Sequence, residues 1–299
     1  MAFLSILGYN RCLLRTSNHC QTGDCRVIIN KDKCVGCANC VPVCSVGAIF
    51  IGADGLAEIN RDTCVECHNC HRSLSPEHLP PGLTRLIRRI LKSVSLRFQP
   101  DPDVCPTDAF APEDLEWPRI VRRAFSDPMV THESTGVHGR GTEEVKTNDV
   151  SGRIKHGEVG LVVEFGRPGI GTYFRDVEEV TTALAKEKIT FEAGNPVTQL
   201  MTDKTTGQIR EDLLDEKVLS CIVEVTVKLE DTAAILGSLK QMSKTVKTVI
   251  SIGASTVCDK DGSDPLRDIL QNEGFGIGWA KVNLGLGRVA NRYVSAGEA

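Results

Sequence analysis

From residue 83 to 94 the apolar positions are Leu83, Leu86, Ile87, Ile90, Leu91 and Val94, the three-and-four spacing of one helix face. Arg85, Arg88, Arg89 and Lys92 occupy much of the remaining surface. This predicts an amphipathic basic helix, entered through Pro76, Pro80 and Pro81. Residues 1–30 read as a leader ending in the strand-like Arg26-Val-Ile-Ile29. Beyond residue 157, residues 158–165 read as a strand, 176–186 as a helix and 188–192 as a second strand. Residues 218–229 alternate as a strand, Asp231 stands where it can cap a helix reaching about Lys244, and 246–252 closes as another strand. Thr202-Asp-Lys-Thr-Thr-Gly207 marks a turn between the two sets. Two β-α-β units of similar length over 157–299 predict an α/β plait, an antiparallel sheet with two helices on one face. Residues 111–156 are polar and irregular, with Pro112, Pro118, Pro128 and the glycine-rich His138-Gly-Arg-Gly141, and are expected to form a linker or binding loop. The stretch 265–288 adds a short helix and a glycine-rich strand or loop.

Composition narrows the function class. At 299 residues the chain has room for two domains, and 41% hydrophobic with 25% charged residues is ordinary for a globular protein. A net charge of −4 argues against broad binding to a nucleic-acid backbone. No apolar run reaches the roughly 18 residues of a membrane span. Met1-Ala-Phe-Leu-Ser-Ile-Leu-Gly8 is apolar but lacks the basic start and the length of a secretory signal, so a cytoplasmic location is expected.

Cysteine usage changes the picture most. Of thirteen cysteines, eleven precede residue 106 and seven of those lie in tight repeats that suit metal in a reducing compartment. Cys34-Val-Gly-Cys37-Ala-Asn-Cys40-Val-Pro-Val-Cys44 is a C-x2-C-x2-C-x3-C run. Such spacing lets three thiolates on one loop grip one face of a cubane while the fourth points toward a second cluster. Cys64-Val-Glu-Cys67-His-Asn-Cys70 supplies three more thiolates, and its fourth partner is displaced to Cys105. Structural zinc is the competing reading of C-x2-C pairs, but tandem triplets fit poorly with tetrahedral sites built from two separated pairs.

The repeats are internally similar: Asp32-Lys-Cys34-Val-Gly-Cys37 matches Asp62-Thr-Cys64-Val-Glu-Cys67, and Cys44-Ser-Val-Gly-Ala-Ile49 matches Cys105-Pro-Thr-Asp-Ala-Phe110. On these residues the stretch 31–110 resembles the bacterial two-cluster ferredoxin family. The resemblance implies two [4Fe–4S] clusters with crossed ligation, one on Cys34, Cys37, Cys40 and Cys105 and the other on Cys64, Cys67, Cys70 and Cys44. It also implies low-potential, one-electron transfer. Two departures stand out: Ser45 replaces the usual proline, and 34 residues, 71–104, separate Cys70 from Cys105. The expected fold class is α+β, a two-cluster ferredoxin module followed by an α/β-plait (ferredoxin-like) domain.

The remaining signals are weaker. Cys12, Cys20 and Cys25 match no iron–sulfur run and read as free thiols. His138, Gly139, Arg140 and Gly141, with Arg167 in Gly166-Arg-Pro-Gly-Ile-Gly-Thr172, are candidates for binding an anion, a flavin or a substrate. The His138-Gly-Arg-Gly141 and Lys146-Thr-Asn-Asp149 stretches are similar to iron–sulfur reductases of the 6-hydroxynicotinate reductase type, which implies a catalytic part after the ferredoxin module and no residue roles. The leading expectation is an electron-transfer subunit working with other oxidoreductase subunits, flavin- or metal-containing, and with a soluble electron donor or acceptor. A single-chain reductase with flavin or substrate in the 131–172 loops and a redox or ligand sensor are the alternatives.

Overall fold

The computed structural model describes residues 25–130, 152–167 and 169–277, a mixture of helices and strands. The cysteine-rich unit runs through β1 (Cys25–Ile29), α1 (Cys40–Val43), β2 (Ile49–Ile51), β3 (Ala57–Ile59), α2 (Asn69–Ser73), β4 (Ser75–Pro76), α3 (Pro81–Ser93), β5 (Val104–Cys105) and β6 (Phe110–Asp114). Its two ends are joined, because β1 pairs antiparallel with β6 from Cys25↔Asp114 to Ile29↔Phe110. β2 and β3 form the hairpin between the cysteine runs.

Each cysteine loop opens the same way. The Asn30 side chain accepts from the backbone N–H of Asp32 and Lys33, and Asn60 accepts from Asp62 and Thr63. These are Asx turns, which asparagine makes locally without help from the rest of the fold. Both loops then need left-handed residues, Gly36 (φ +67°) and Ala38 (+73°) in the first, Glu66 (+55°) and His68 (+57°) in the second.

The insertion is closed at its base. β4 and β5 run parallel, pairing Ser75 with Val104 and Pro76 with Cys105. Glu77 N–H donates to the Cys105 carbonyl at 2.9 Å and Leu79 N–H to Pro106 at 3.0 Å. Between these ends stands the amphipathic helix α3, turned opposite to the usual sense. Thr84 is buried, Arg85 and Arg88 face the first cysteine loop, and Leu83, Leu86, Ile87, Ile90 and Val94 are 41–59% exposed. The loop beneath offers carbonyls to satisfy, which a guanidinium can do and a leucine cannot.

Residues 111–156, expected to be irregular, contain most of β6 and then α4 (Ile120–Ser126), whose Val121 and Phe125 join the second core. Ile120, Val121, Ala124 and Phe125 give this short segment an apolar content that the surrounding polar stretch hides.

The second unit comprises β7 (Glu158–Phe165), β8 (Thr172–Tyr173), α5 (Phe174–Leu184), β9 (Ile189–Phe191), α6 (Pro196–Gln199), β10 (Met201–Asp203), β11 (Gln208–Ile209), β12 (Lys217–Val218), β13 (Cys221–Lys228), α7 (Thr232–Met242), β14 (Ile250–Thr256) and α8 (Pro265–Asn272). Among the described residues the largest sheet has the order β14-β7-β13-β9, all antiparallel. Val159, Leu161, Val163 and Phe165 of β7 and Val223, Val225 and Val227 of β13 share one core with Val177, Val180 and Leu184 of α5 and Ile235, Leu236 and Leu239 of α7. Alternate strand residues thus meet both helices on one face. The last strand starts at Ile250, later than expected at 246, because Val246 is still buried against the end of α7, with its N–H donating to Met242. Asp231 precedes α7 but makes no side-chain capping bond. The turn expected at 202–207 joins β10 to β11. Among the described residues no helix is long and apolar enough to cross a membrane.

Candidate metal centre

Eight thiols gather in two groups of four. Cys34, Cys37, Cys40 and Cys105 line one cavity together with Ile29, Ala57, Leu74 and Phe110. Cys44, Cys64, Cys67 and Cys70 line a second with Val27, Ile49 and Ile59. None of the eight is in a disulfide. Among the described residues no three His, Cys, Asp or Glu side chains converge closely enough to hold a single metal ion. The thiols ring a space and do not meet at a point.

Two asparagines explain how each loop captures a cysteine from the other half. Asn39, just before Cys40, donates to the carbonyls of Asp101 (2.7 Å) and Val104 (3.0 Å), fixing the backbone that leads into Cys105. Asn69, just before Cys70, donates to Val43 at 3.0 Å, the residue before Cys44. The two fourth cysteines are then held alike. Ala48 N–H donates to Cys44 Sγ at 3.1 Å, and Ala109 N–H to Cys105 Sγ at 3.3 Å. Cys34 Sγ accepts from Gly36 and Ala57 N–H, each at 3.4 Å. Such donors favour the thiolate.

In the metal-free chain burial works against the thiolate. It is the largest cause raising Cys37, Cys67, Cys70 and Cys105, and it lifts Cys40 and Cys64 to about 12. Neighbouring thiolates add to the rise at Cys37, Cys40 and Cys70, and the Glu66 carboxylate adds at Cys64. Thiolates at these six positions would therefore require a cationic centre beside them.

Arginines clamp the loops from outside, again in matched positions. Arg85 of α3 donates to the carbonyls of Lys31 (2.5 Å), Asp32 (2.9 Å) and Cys34 (2.7 Å). Arg122 of α4 donates to the counterparts Arg61 (3.1 Å), Asp62 (3.0 Å) and Cys64 (2.7 Å). The two halves differ at one point. A Cβ on Gly36 would collide with the Gly55 carbonyl and the Arg88 guanidinium, which donates to Val35. At the counterpart, Glu66 is buried and pairs with Arg119 at 3.0 Å and Arg61 at 3.8 Å.

The second unit docks at the second loop. Arg122 forms an ion pair with Glu216 and donates to the Asp215 carbonyl at 3.3 Å. Trp117 Nε1 donates to Asp212 at 2.6 Å, and Leu219 N–H donates to Ser126 Oγ at 2.8 Å. The Gly166–Gly171 loop reaches the same end, where a Cβ on Gly169 would lie 3.2 Å from the Ser45 carbonyl.

Of the other residues singled out in the sequence, His138, Gly139, Arg140 and Gly141 lie outside the described residues, as do Cys12 and Cys20. Cys25 opens β1. Arg167 approaches Glu164 at 3.5 Å, and its Nε is buried without a hydrogen-bond partner. Two cysteines to which the sequence assigns no role, Cys221 and Cys258, are in the core and exposed respectively. Sequence reasoning missed Asn30, Asn60, Asn39, Asn69, Glu66 and the clamping arginines. The asparagines were legible, since each stands at the same offset in both repeats; the arginines were not, because Arg85 and Arg122 occupy unrelated positions in the chain.

The family model described as a 4Fe-4S binding domain matches residues 27–50. No curated protein and no solved structure matches the chain. The match runs from within β1 through the first cysteine run into β2, and marks this stretch as an iron–sulfur ferredoxin segment of the [4Fe–4S]-binding kind. The donor set suits such a group: thiols around an apolar cavity, backbone N–H groups aimed at sulfur, and no competing carboxylate in the lining.

Proposed function

We propose that the chain is the electron-transfer subunit of a multi-subunit oxidoreductase, with one [4Fe–4S] cluster on Cys34, Cys37, Cys40 and Cys105 and a second on Cys44, Cys64, Cys67 and Cys70. The observation that carries this reading is the sorting of the eight thiols into two cavities, each taking three from one loop and one from the other half. When bound, each cluster supplies one-electron chemistry at low potential. The protein's part is to exclude water with Ile29, Leu74 and Phe110 on one side and Val27, Ile49 and Ile59 on the other, to donate backbone N–H groups to sulfur, and to hold both loops with Arg85 and Arg122. Zinc suits this arrangement less well, because a tetrahedral ion draws its ligands to within about 2.3 Å of one centre.

We read the second unit as an α/β plait from its strand order and its two helices on one face. Its attachment at the second loop supports a role in assembly with a flavin- or metal-containing partner that exchanges electrons with a soluble donor or acceptor. A second reading, flavin or substrate bound in the 131–172 loops of a single-chain reductase, is favoured by the partnerless Nε of Arg167 and by the approach of Gly169 to Ser45.

Anaerobic purification from the native host with iron, sulfide and flavin analysis tests both. About eight irons per chain and a stable partner support the subunit reading; stoichiometric flavin without a partner supports the reductase; zinc in place of iron overturns both. In Cys105→Ser the cluster signal of the first set is expected to go while that of the second stays, with the converse for Cys44→Ser. Loss of the signals in the uncrossed sense would reject the ligand assignment.

A further inference from the structure

The stretch 78–100 contains Arg85, Arg88, Arg89, Lys92 and Arg97 and no Asp or Glu. It also holds Leu79, Leu83, Leu86, Ile87, Ile90, Val94 and Leu96, half of the large hydrophobic side chains exposed among the described residues. A monomeric soluble protein rarely shows such a continuous apolar patch unless something covers it. Five of these side chains, Leu83, Leu86, Ile87, Ile90 and Val94, share the face of α3 opposite Arg85 and Arg88, which bind the first cysteine loop. The remaining cations, Arg89, Lys92 and Arg97, are exposed and make no ion pair among the described residues.

We propose that α3 is an interfacial anchor that lays its Leu83, Leu86, Ile87, Ile90 and Val94 face into the surface of an anionic lipid bilayer. Three features select this occupant. The first is charge: Arg89, Lys92 and Arg97 make no ion pair among the described residues and residues 78–100 hold no carboxylate, which complements anionic headgroups. The second is composition. The face is Leu, Ile and Val, without the Trp, Tyr or Met that mark protein interfaces. The third is its form: a helix of 13 residues with an apolar side turned out and a cationic polar side is the pattern of helices that lie in the plane of a membrane surface. No membrane span is needed, and the placement would bring the first cysteine loop, gripped by Arg85, next to the lipid surface. The surface stands whether or not the two-cluster reading does, since the inference uses the helix and not the thiols.

The test is flotation of the purified full-length holoprotein with vesicles of phosphatidylcholine alone or with phosphatidylglycerol. Binding to the anionic vesicles that weakens with salt is expected. In Leu86→Ser/Ile90→Ser it should fall at least tenfold, and in Arg89→Gln/Lys92→Gln by roughly fivefold for each charge removed. All four sites are exposed, and unchanged iron content and cluster absorbance would show that these variants keep the module. Failure to bind anionic vesicles at low salt overturns the proposal. So does binding that neither double variant weakens, or a dimer in solution that Leu86→Ser/Ile90→Ser dissociates, which would assign the face to a second copy of the chain.

Discussion

Residue 36 and residue 66 occupy the same place in two copies of one loop and have diverged in opposite directions. Glycine at 36 leaves room for the Arg88 guanidinium and the Gly55 carbonyl, whereas glutamate at 66 fills that room and binds two arginines. A left-handed φ costs a non-glycine residue of order 1 kcal/mol or more. Glu66 offsets it with a buried ion pair, and any side chain at 36 would add a clash to it. The cysteines carry a pH dependence of their own. In the metal-free protein Cys40 and Cys64 ionise near 12, against 9.0 for an ordinary thiol. The folded state therefore favours their protonated forms. The stability they contribute is complete below pH 9 and is lost as pH rises toward 12. Metal-free protein should accordingly unfold at lower urea concentration at about pH 10.5 than at about pH 8, while protein loaded with the two proposed clusters, which would hold these thiolates on iron, should show a smaller change. Equal shifts in both forms would place the titration elsewhere. At this scale the chain was readable where the chemistry repeats: seven cysteines announce themselves by spacing and Cys105 by the likeness of Cys105–Phe110 to Cys44–Ile49, but the arginines that bind the loop carbonyls come from distant helices.

The elements were legible where periodicity is strong. Strands near 158–165 and 218–229, the helices after them and the basic helix all stand within a few residues of expectation. The facing of the basic helix was not legible. A hydrophobic stripe says which side of a helix is apolar, and here the neighbouring surface is a row of carbonyls that selects the arginine side. The short pairings β4·β5 and β8·β12 were missed as well, because two-residue strands carry no pattern of their own. The first of these has a mechanical effect. Since Ser75, Pro76 and Glu77 are fastened to 103–105, the chain beyond them is a closed excursion whose tip bears little load. Limited trypsin digestion at the exposed Arg97 should nick the chain with iron content unchanged, read by gel and by iron assay on the nicked protein. Release of iron at the rate of nicking would show that the excursion holds the site together.

At the scale of the whole molecule Arg122 touches both units at once. Arg122 is 5% exposed, its partner Glu216 13%, and the same guanidinium serves three carbonyls of the second cysteine loop. Breaking a buried pair of this kind costs about 3–5 kcal/mol, because the surviving charge stays buried. Arg122→Ala should therefore lower the melting temperature of the second unit and, with both proposed clusters in place, speed iron loss from the second thiol set ahead of the first, measured by calorimetry and by chelator-driven bleaching. Equal rates at the two sets would mean that the units are independent. The crossing of the cysteines has a further consequence, in the order of synthesis. As the chain leaves the ribosome, the set of Cys44, Cys64, Cys67 and Cys70 is complete at residue 70. The set begun by Cys34 waits for Cys105, and β1 waits for β6 to end at Asp114. At about 5–20 residues per second the interval is a few seconds. During it Cys34, Cys37 and Cys40 stand open to oxidants and stray metals, so the half of the cysteine-rich unit that is made first is the last to become safe.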